Sequence, residues 1–93
     1  MDWTYVDGEN KADVTLYALS TCGWCKKTKL LLDELGVAYR YTYVDLLSGT
    51  DKDRILREVE RWNPRRSFPT VVIGNSEVVV GFQSDRIKQL LRT

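Results

Sequence analysis

Two cysteines separated by two residues are the side chains of this sequence best suited to chemistry. They are Cys22 and Cys25, and the 93-residue chain contains no other cysteine. Two thiols at this spacing can form a disulfide, lose it to a reductant and exchange it with another molecule. The sequence therefore predicts a site for thiol–disulfide exchange, and the surrounding elements decide which thiol reacts first.

The cysteines lie where a strand pattern changes into a helix pattern. A short apolar, β-prone run covers 14–18, and leucines recur at helical spacing over 23–35 until Gly36 ends the helix. The first turn of a helix has unpaired N–H groups and the positive end of the helix dipole, which stabilise a sulfur placed there as the thiolate. We therefore predict Cys22 as the nucleophile and Cys25, one turn further along, as the thiol that resolves the mixed disulfide.

Three other interpretations of the cysteine pair are weaker. A structural disulfide between Cys22 and Cys25 would close a loop too small to remove much entropy from the unfolded chain. A zinc site would need two further ligands, and the chain has no histidine and no third cysteine. Chance does not explain why the pair lies at a strand-to-helix junction. We predict a redox-active Cys22–Cys25 disulfide, no metal site and no bound cofactor.

The composition is that of a single globular domain. Hydrophobic residues make up 43% of the chain and charged residues 29%, and 14 basic against 13 acidic residues give a net charge of +1. This balance favours neither a nucleic acid nor a membrane surface as partner. The first residues lack the basic and apolar regions of a signal peptide, which favours the cytoplasm, where disulfides are more often catalytic than structural. We expect a monomer.

The periodicities predict an α/β fold with the order β-α-β-α-β-β-α. Strands are expected at 14–18, 38–45, 70–73 and 78–80, in one mixed four-stranded sheet flanked by helices. Residues 1–12 are predicted to be an N-terminal extension, interpreted as a partly ordered tail rather than a short added strand, and residues 13–93 to be the domain. The tyrosines at 39, 41 and 43 share one strand face, which favours packing over binding.

Further segments outside the cysteine pair carry a family resemblance. They are Thr28–Leu32, Leu35–Val37, Val44–Asp45, Ser67–Val71 and Gly81–Asp85. With them, the sequence resembles the thioredoxin superfamily, and most closely its glutaredoxin branch, over about 13–91. The resemblance implies a thioredoxin-like fold and a thiol–disulfide oxidoreductase that carries electrons to disulfides and contributes to cell redox homeostasis.

The resemblance also implies a substrate groove beside the cysteines. In the family the proline that matches Pro69 is cis, so that the backbone of Phe68 can pair with an extended substrate or with glutathione. Gly23 and Trp24, between the cysteines, are expected to shape the same surface. Among the polar residues, the resemblance assigns a carboxylate of glutathione to Arg65 or Arg66. It assigns the γ-glutamyl end to Ser84 and Asp85, where the helix N-terminus also favours an anion.

Two departures from the family pattern bear on the electron donor. Leu19 occupies a position that is often lysine, and Phe82 replaces the second glycine of a Gly-Gly pair. Gly81–Phe82 instead resembles the glutaredoxin-like redoxins that reduce ribonucleotide reductase and take electrons from thioredoxin reductase. We therefore predict a reductase of protein disulfides that is recharged by such a reductase, with glutathione as an alternative co-substrate.

Three other functions remain open at this point. One is a glutathione-dependent glutaredoxin that acts on glutathione mixed disulfides. Another is a pair of copies that share an iron–sulfur cluster through Cys22 and glutathione, which the small Gly23 would permit. An oxidant or isomerase of secreted proteins is disfavoured by the missing signal peptide.

Overall fold

The computed structural model describes residues 3–91, which form five strands and three α-helices. The strands are β1 Thr4–Val6, β2 Val14–Ala18, β3 Tyr39–Tyr43, β4 Thr70–Ile73 and β5 Glu77–Val80. The helices are α1 Gly23–Leu35, α2 Gly49–Trp62 and α3 Ser84–Leu91, and a single 3₁₀ turn, Val44–Leu46, follows β3. Within residues 3–91, no helix has the length and apolar character needed to cross a membrane.

The strands form one mixed sheet in the order β1-β3-β2-β4-β5. The central pair, β2 and β3, is parallel, and α1 provides the crossover between them; the other neighbours are antiparallel. The fold class and the order of elements from β2 onward agree with the prediction. The sheet has five strands rather than the predicted four, because β1 pairs with the outer edge of β3.

Part of the described segment before β2 therefore belongs to the sheet, and the interpretation as a partly ordered tail is wrong for Thr4–Val6. The Glu9 backbone donates to the carbonyl of Gly36 and accepts from the N–H of Ala38, both at 2.8 Å. Gly8 lies so close to this turn that an added Cβ would be 2.5 Å from the carbonyl carbon of Val37. A three-residue edge strand next to a turn signal gives too short a pattern for sequence periodicity to predict it.

Successive residues of the central strands alternate between two apolar cores. On one face of the sheet, α1 and α3 cover a cluster that includes Leu16, Leu32 and Ile87, all fully buried. On the other face, α2 packs Ile55 and Val59 against the buried side of β2 and β4. The predicted tyrosine stripe of β3 belongs to the first cluster, with its first member buried and the other two half-buried. Both faces of the central strands are thus buried under helices.

Candidate active site

Cys22 is the N-cap residue of α1, as the strand-to-helix pattern predicted. Its backbone is extended, with φ −91° and ψ 119°, and its carbonyl accepts from the N–H of Lys26 at 3.1 Å. The Cys22 sulfur accepts a hydrogen bond from the N–H of Cys25 at 3.2 Å. This sulfur therefore takes the place of the side-chain oxygen that usually caps a helix, at the positive end of the dipole.

The two thiols have different environments. Both are free, but Cys22 is half-buried, whereas Cys25 is 2% exposed and packs in the core beneath α1. Burial first, and then the hydrogen bond with Cys22, raise the pKa of Cys25 to about 12 against an opposing effect of the Leu19 backbone. Cys25 is consequently a protonated thiol at neutral pH, and Cys22 is the sulfur that an incoming disulfide can reach.

Asp45 holds the turn that leads into Cys22. Its Oδ1 accepts from the Ser20 backbone N–H at 2.8 Å, and its Oδ2 accepts from the Ser20 hydroxyl at 2.5 Å. These hydrogen bonds, the hydroxyl's first, lower the pKa of Asp45. Asp45 was absent from the predicted site residues and belonged only to the predicted strand 38–45 and to the Val44–Asp45 family motif. The signal that could have found it is its place just after β3, because neighbouring parallel strands end at the same edge of the sheet.

An apolar groove lies beside the cysteines. The Phe68–Pro69 peptide is cis, as the resemblance implied. Trp24 is 58% exposed and stacks on Phe82 with ring centroids 5.8 Å apart. With Gly81, these four residues line a cavity of about 250 Å³. The groove is thus walled by one ring from α1, one from the loop before α3 and the proline that precedes β4.

The loop that carries Phe68 and Pro69 is ordered by one buried amide. The Asn63 side chain, in a residue only 4% exposed, donates to the carbonyl and hydroxyl of Ser67 and to the hydroxyl of Thr70, each at 3.1 Å. The oxygen of the same side-chain amide accepts from the backbone N–H of Arg65 at 3.2 Å. In the sequence, Asn63 precedes Pro64, a position that predicts only the end of a helix. Its role depends on tertiary contacts that a position before proline does not indicate.

The predicted polar contacts fall into two groups. Ser84 and Asp85 line a depression of about 450 Å³ that adjoins the groove through Phe82. Arg66 instead lies against α2, where its Nε is 3.8 Å from the Glu60 carboxylate. The structure therefore brings the first pair beside the groove and turns Arg66 toward a helix.

Two further predicted residues, Arg65 and Gly23, are exposed. Arg65 lies at the surface of the loop before Pro69, and Gly23 faces open space, since an added Cβ would meet no atom within 4 Å. Leu19 packs into the apolar cluster on the α2 side of the sheet. Within residues 3–91, no three histidine, cysteine, aspartate or glutamate side chains are grouped closely enough to hold a metal ion.

Comparison with known proteins places this geometry in one family. The glutaredoxin family model matches residues 14–78. A glutaredoxin structure from Methanosarcina mazei Go1 is 43% identical, with a TM-score of 0.91 over 100% of this chain and 90% of that one. The structure of a buckwheat glutaredoxin–glutathione complex is 30% identical, with a TM-score of 0.66 over 86% of this chain and 70% of that one.

A curated glutaredoxin from Ricinus communis is 31% identical over 70% of this chain. The match spans 62% of that protein's length. Since the family model covers most of the fold, including both cysteines and the cis-proline, the chain belongs to the glutaredoxin family of thioredoxin-fold redox proteins.

Proposed function

We propose that this protein reduces disulfide bonds in protein substrates, with Cys22 as the nucleophile and Cys25 as the resolving thiol. The observation that carries the proposal is the asymmetry of the two sulfurs. Cys22 is half-buried at a helix N-terminus and accepts a hydrogen bond at 3.2 Å, whereas Cys25 is buried, with its pKa raised to about 12. Exchange at the accessible sulfur must therefore precede exchange at the buried one.

The reaction follows from this order. The Cys22 thiolate attacks one sulfur of the substrate disulfide, so that a Cys22–substrate bond forms, the substrate S–S bond breaks, and the departing sulfur takes up a proton. Cys25 then gives up its proton and attacks the Cys22 sulfur, which releases the second substrate sulfur as a thiol. Two electrons pass from the dithiol to the substrate, one of the two protons comes from Cys25 and the other from water, and the protein is left with a Cys22–Cys25 disulfide.

The groove suits a peptide substrate. Trp24, Phe82 and Phe68 offer apolar ring surface beside the reacting sulfur, and such surface suits the apolar side chains that flank a disulfide in a protein. Lys27 lies with its Nζ 4.7 Å from the centre of the Trp24 ring, which adds positive charge at the rim. A protein substrate can thus contact more of this surface than a small thiol can.

The groove's polar contacts support a protein reductase as the electron donor. Leu19 is packed in an apolar cluster and offers no charge to glutathione, and Arg66 is paired with Glu60 on α2. Ser84 and Asp85 remain beside the groove, and glutathione, named in the buckwheat complex, is the alternative donor. By the resemblance of Gly81–Phe82, a thioredoxin-reductase-type enzyme is the proposed donor and ribonucleotide reductase a candidate target. We propose that the protein acts as a monomer in the cytoplasm.

A cysteine trap tests the order of the two thiols. Cys25→Ser should form a stable mixed disulfide with a protein substrate such as insulin, detectable by mass spectrometry as one substrate chain attached to Cys22. Cys22→Ser should capture no substrate, because the remaining thiol is buried and protonated. Rapid alkylation of the Cys22→Ser variant at pH 7, equal to that of the wild type, would show that Cys25 is the reactive thiol and overturn the assignment.

A coupled assay tests the donor. With insulin as the substrate, NADPH consumption should be at least tenfold faster with thioredoxin reductase than with millimolar glutathione and glutathione reductase; tenfold corresponds to about 1.4 kcal/mol. The double variant Ser84→Ala, Asp85→Ala should leave the first rate unchanged. Rapid turnover with glutathione that is lost in this variant would instead establish glutathione as the donor.

A further inference from the structure

We propose that Asp45 is a positioning residue for thiol exchange, because its carboxylate fixes the turn that presents Cys22. The proposal rests on the assignment of Cys22 as the nucleophile. Asp45 touches neither cysteine as a hydrogen-bond partner; it acts through Ser20. The carboxylate accepts both donors of that one residue, which leaves Ser20 little freedom to rotate or shift.

The sheet explains why these two residues meet. In the parallel register of β2 and β3, Ala18 is opposite Tyr43. Ser20 and Asp45 each lie two residues beyond that last pair, so the strands deliver them side by side at one edge of the sheet. The hydrogen bonds at 2.8 and 2.5 Å therefore extend the β2–β3 pairing beyond the strands by means of a side chain.

The turn held in this way ends at the reactive sulfur. The N–H of Cys22 donates to the carbonyl of Leu19 at 3.3 Å, which closes a turn around Ser20. In the same turn, a backbone hydrogen bond of Leu19 lowers the pKa of the Cys25 thiol. A shift of Ser20 would consequently move the Leu19 carbonyl and the Cys22 backbone that it holds at the start of α1.

The charge of Asp45 has a smaller part than its hydrogen bonds. The largest effects on the pKa of the Cys25 thiol are burial and the hydrogen bond with Cys22, and the charge of Asp45 has a smaller effect than either. The Asp45 carboxylate is exposed, and Lys52 faces it with the opposite charge. Water and this lysine screen its field, so geometry is what Asp45 contributes. A neutral side chain of the same shape should therefore replace it.

The test compares the second-order rate of iodoacetamide with Cys22 at pH 7 in the full-length variants. Asp45→Ala should react about tenfold more slowly, equivalent to about 1.4 kcal/mol. Ser20→Ala, which loses only the hydroxyl donor, should be about threefold slower, in line with about half of that free energy. Asp45→Asn keeps an oxygen acceptor for the Ser20 N–H and should stay within about twofold of the wild type. Asp51→Ala, which removes an exposed carboxylate 3.4 Å from Arg54, is the matched control and should leave the rate unchanged.

Three results would overturn the proposal. The first is a wild-type rate in Asp45→Ala, and the second is Asp45→Asn as slow as Asp45→Ala, since a charge effect would then be responsible. If Asp45→Ala does not fold, the Ser20→Ala variant is the test. A wild-type alkylation rate in Ser20→Ala is then the third result that would overturn the proposal. Mass spectrometry of the alkylated wild type tests the assignment of Cys22 as the nucleophile independently of Asp45. A label on Cys25 would contradict the proposed function itself rather than the role of Asp45.

Discussion

Burial in the fold raises the pKa of the Cys25 thiol and of the Tyr39 hydroxyl. Cys22 and Cys25 are separated by less than one helical turn, yet only Cys25 is buried, and its pKa is raised to about 12. The same physics acts on a tyrosine of the sheet. Tyr39 is 4% exposed and donates to the Asp33 carboxylate at 2.6 Å, and burial first, then that hydrogen bond, raises the pKa of its hydroxyl well above the usual value. In both cases the fold holds the proton on the buried group.

Removing the Tyr39 hydroxyl should make the protein less stable at neutral pH and less sensitive to alkali. Tyr39→Phe loses one hydrogen bond to a carboxylate, which costs about 1.5–3 kcal/mol of unfolding free energy at pH 7. Above about pH 10 an unfolded chain releases tyrosine protons that the fold retains, so stability falls by up to about 1.4 kcal/mol per pH unit for each such group. Urea unfolding from pH 7 to 11 should show a shallower decline in the variant.

Tyr5→Phe provides the matched control for this measurement. Tyr5 is 67% exposed, so removal of its hydroxyl should leave both the stability and its pH dependence as in the wild type. An equally steep alkaline decline in Tyr39→Phe and in the wild type would show that the Tyr39 proton does not contribute.

At the scale of elements, the reacting groups lie in the connections and the strands position them. The Cys22 turn follows β2, Asp45 follows β3, and the cis-proline directly precedes β4. Since β2 is central and pairs with both β3 and β4, these three connections meet at one edge of the sheet. Two of these connections have a side-chain anchor: the carboxylate of Asp45 for the cysteine turn and the amide of Asn63 for the proline loop.

Loss of the Asn63 amide should loosen the proline loop. Asn63→Ala removes three donated hydrogen bonds and leaves the hydroxyl of Thr70, a fully buried residue, with one partner fewer, so a loss of about 1–3 kcal/mol in unfolding free energy is expected. Hydrogen exchange of residues 65–70 should accelerate more than that of β2. Ser67→Ala, which removes only one of the acceptors, should have a clearly smaller effect on both measurements. Unchanged exchange in the loop of Asn63→Ala would show that the cis-proline segment holds its shape without the amide.

At the scale of the whole molecule, sequence periodicity predicted the elements that bury large apolar faces. The bounds of α1 agree residue for residue with the predicted 23–35, because a leucine pattern and Gly36 define them locally. The spacing of the two cysteines likewise predicted the position of the reactive pair from the sequence alone. Periodicity did not predict the role of Asp45, which depends on the register between β2 and β3. It also did not predict β1, whose three residues are held in the sheet by pairing with β3.

The N-terminal segment should detach if Gly8 gains a side chain. An alanine Cβ would lie 2.5 Å from the carbonyl carbon of Val37 and 2.6 Å from the carbonyl oxygen of Gly36. Backbone atoms in a packed turn cannot move aside far enough to relieve contacts this short. Overpacking of this kind costs about 1–3 kcal/mol. β1 should then separate from β3, and the Trp3 ring should leave Arg40, whose guanidinium carbon lies 4.1 Å from the centre of that ring.

Limited proteolysis and urea unfolding of Gly8→Ala measure this separation. Cleavage within residues 1–12 should become at least several-fold faster, and the unfolding midpoint should fall. The alkylation rate of Cys22 should stay at the wild-type value, since the clash lies at the start of β3 and the cysteine turn follows the opposite end of the β2–β3 pair. Asn10→Ala, an exposed substitution in the same segment, is the control and should change none of the three. Wild-type proteolysis and stability in Gly8→Ala would show that the turn around Val37 can move aside, and that β1 does not depend on the close approach of Gly8.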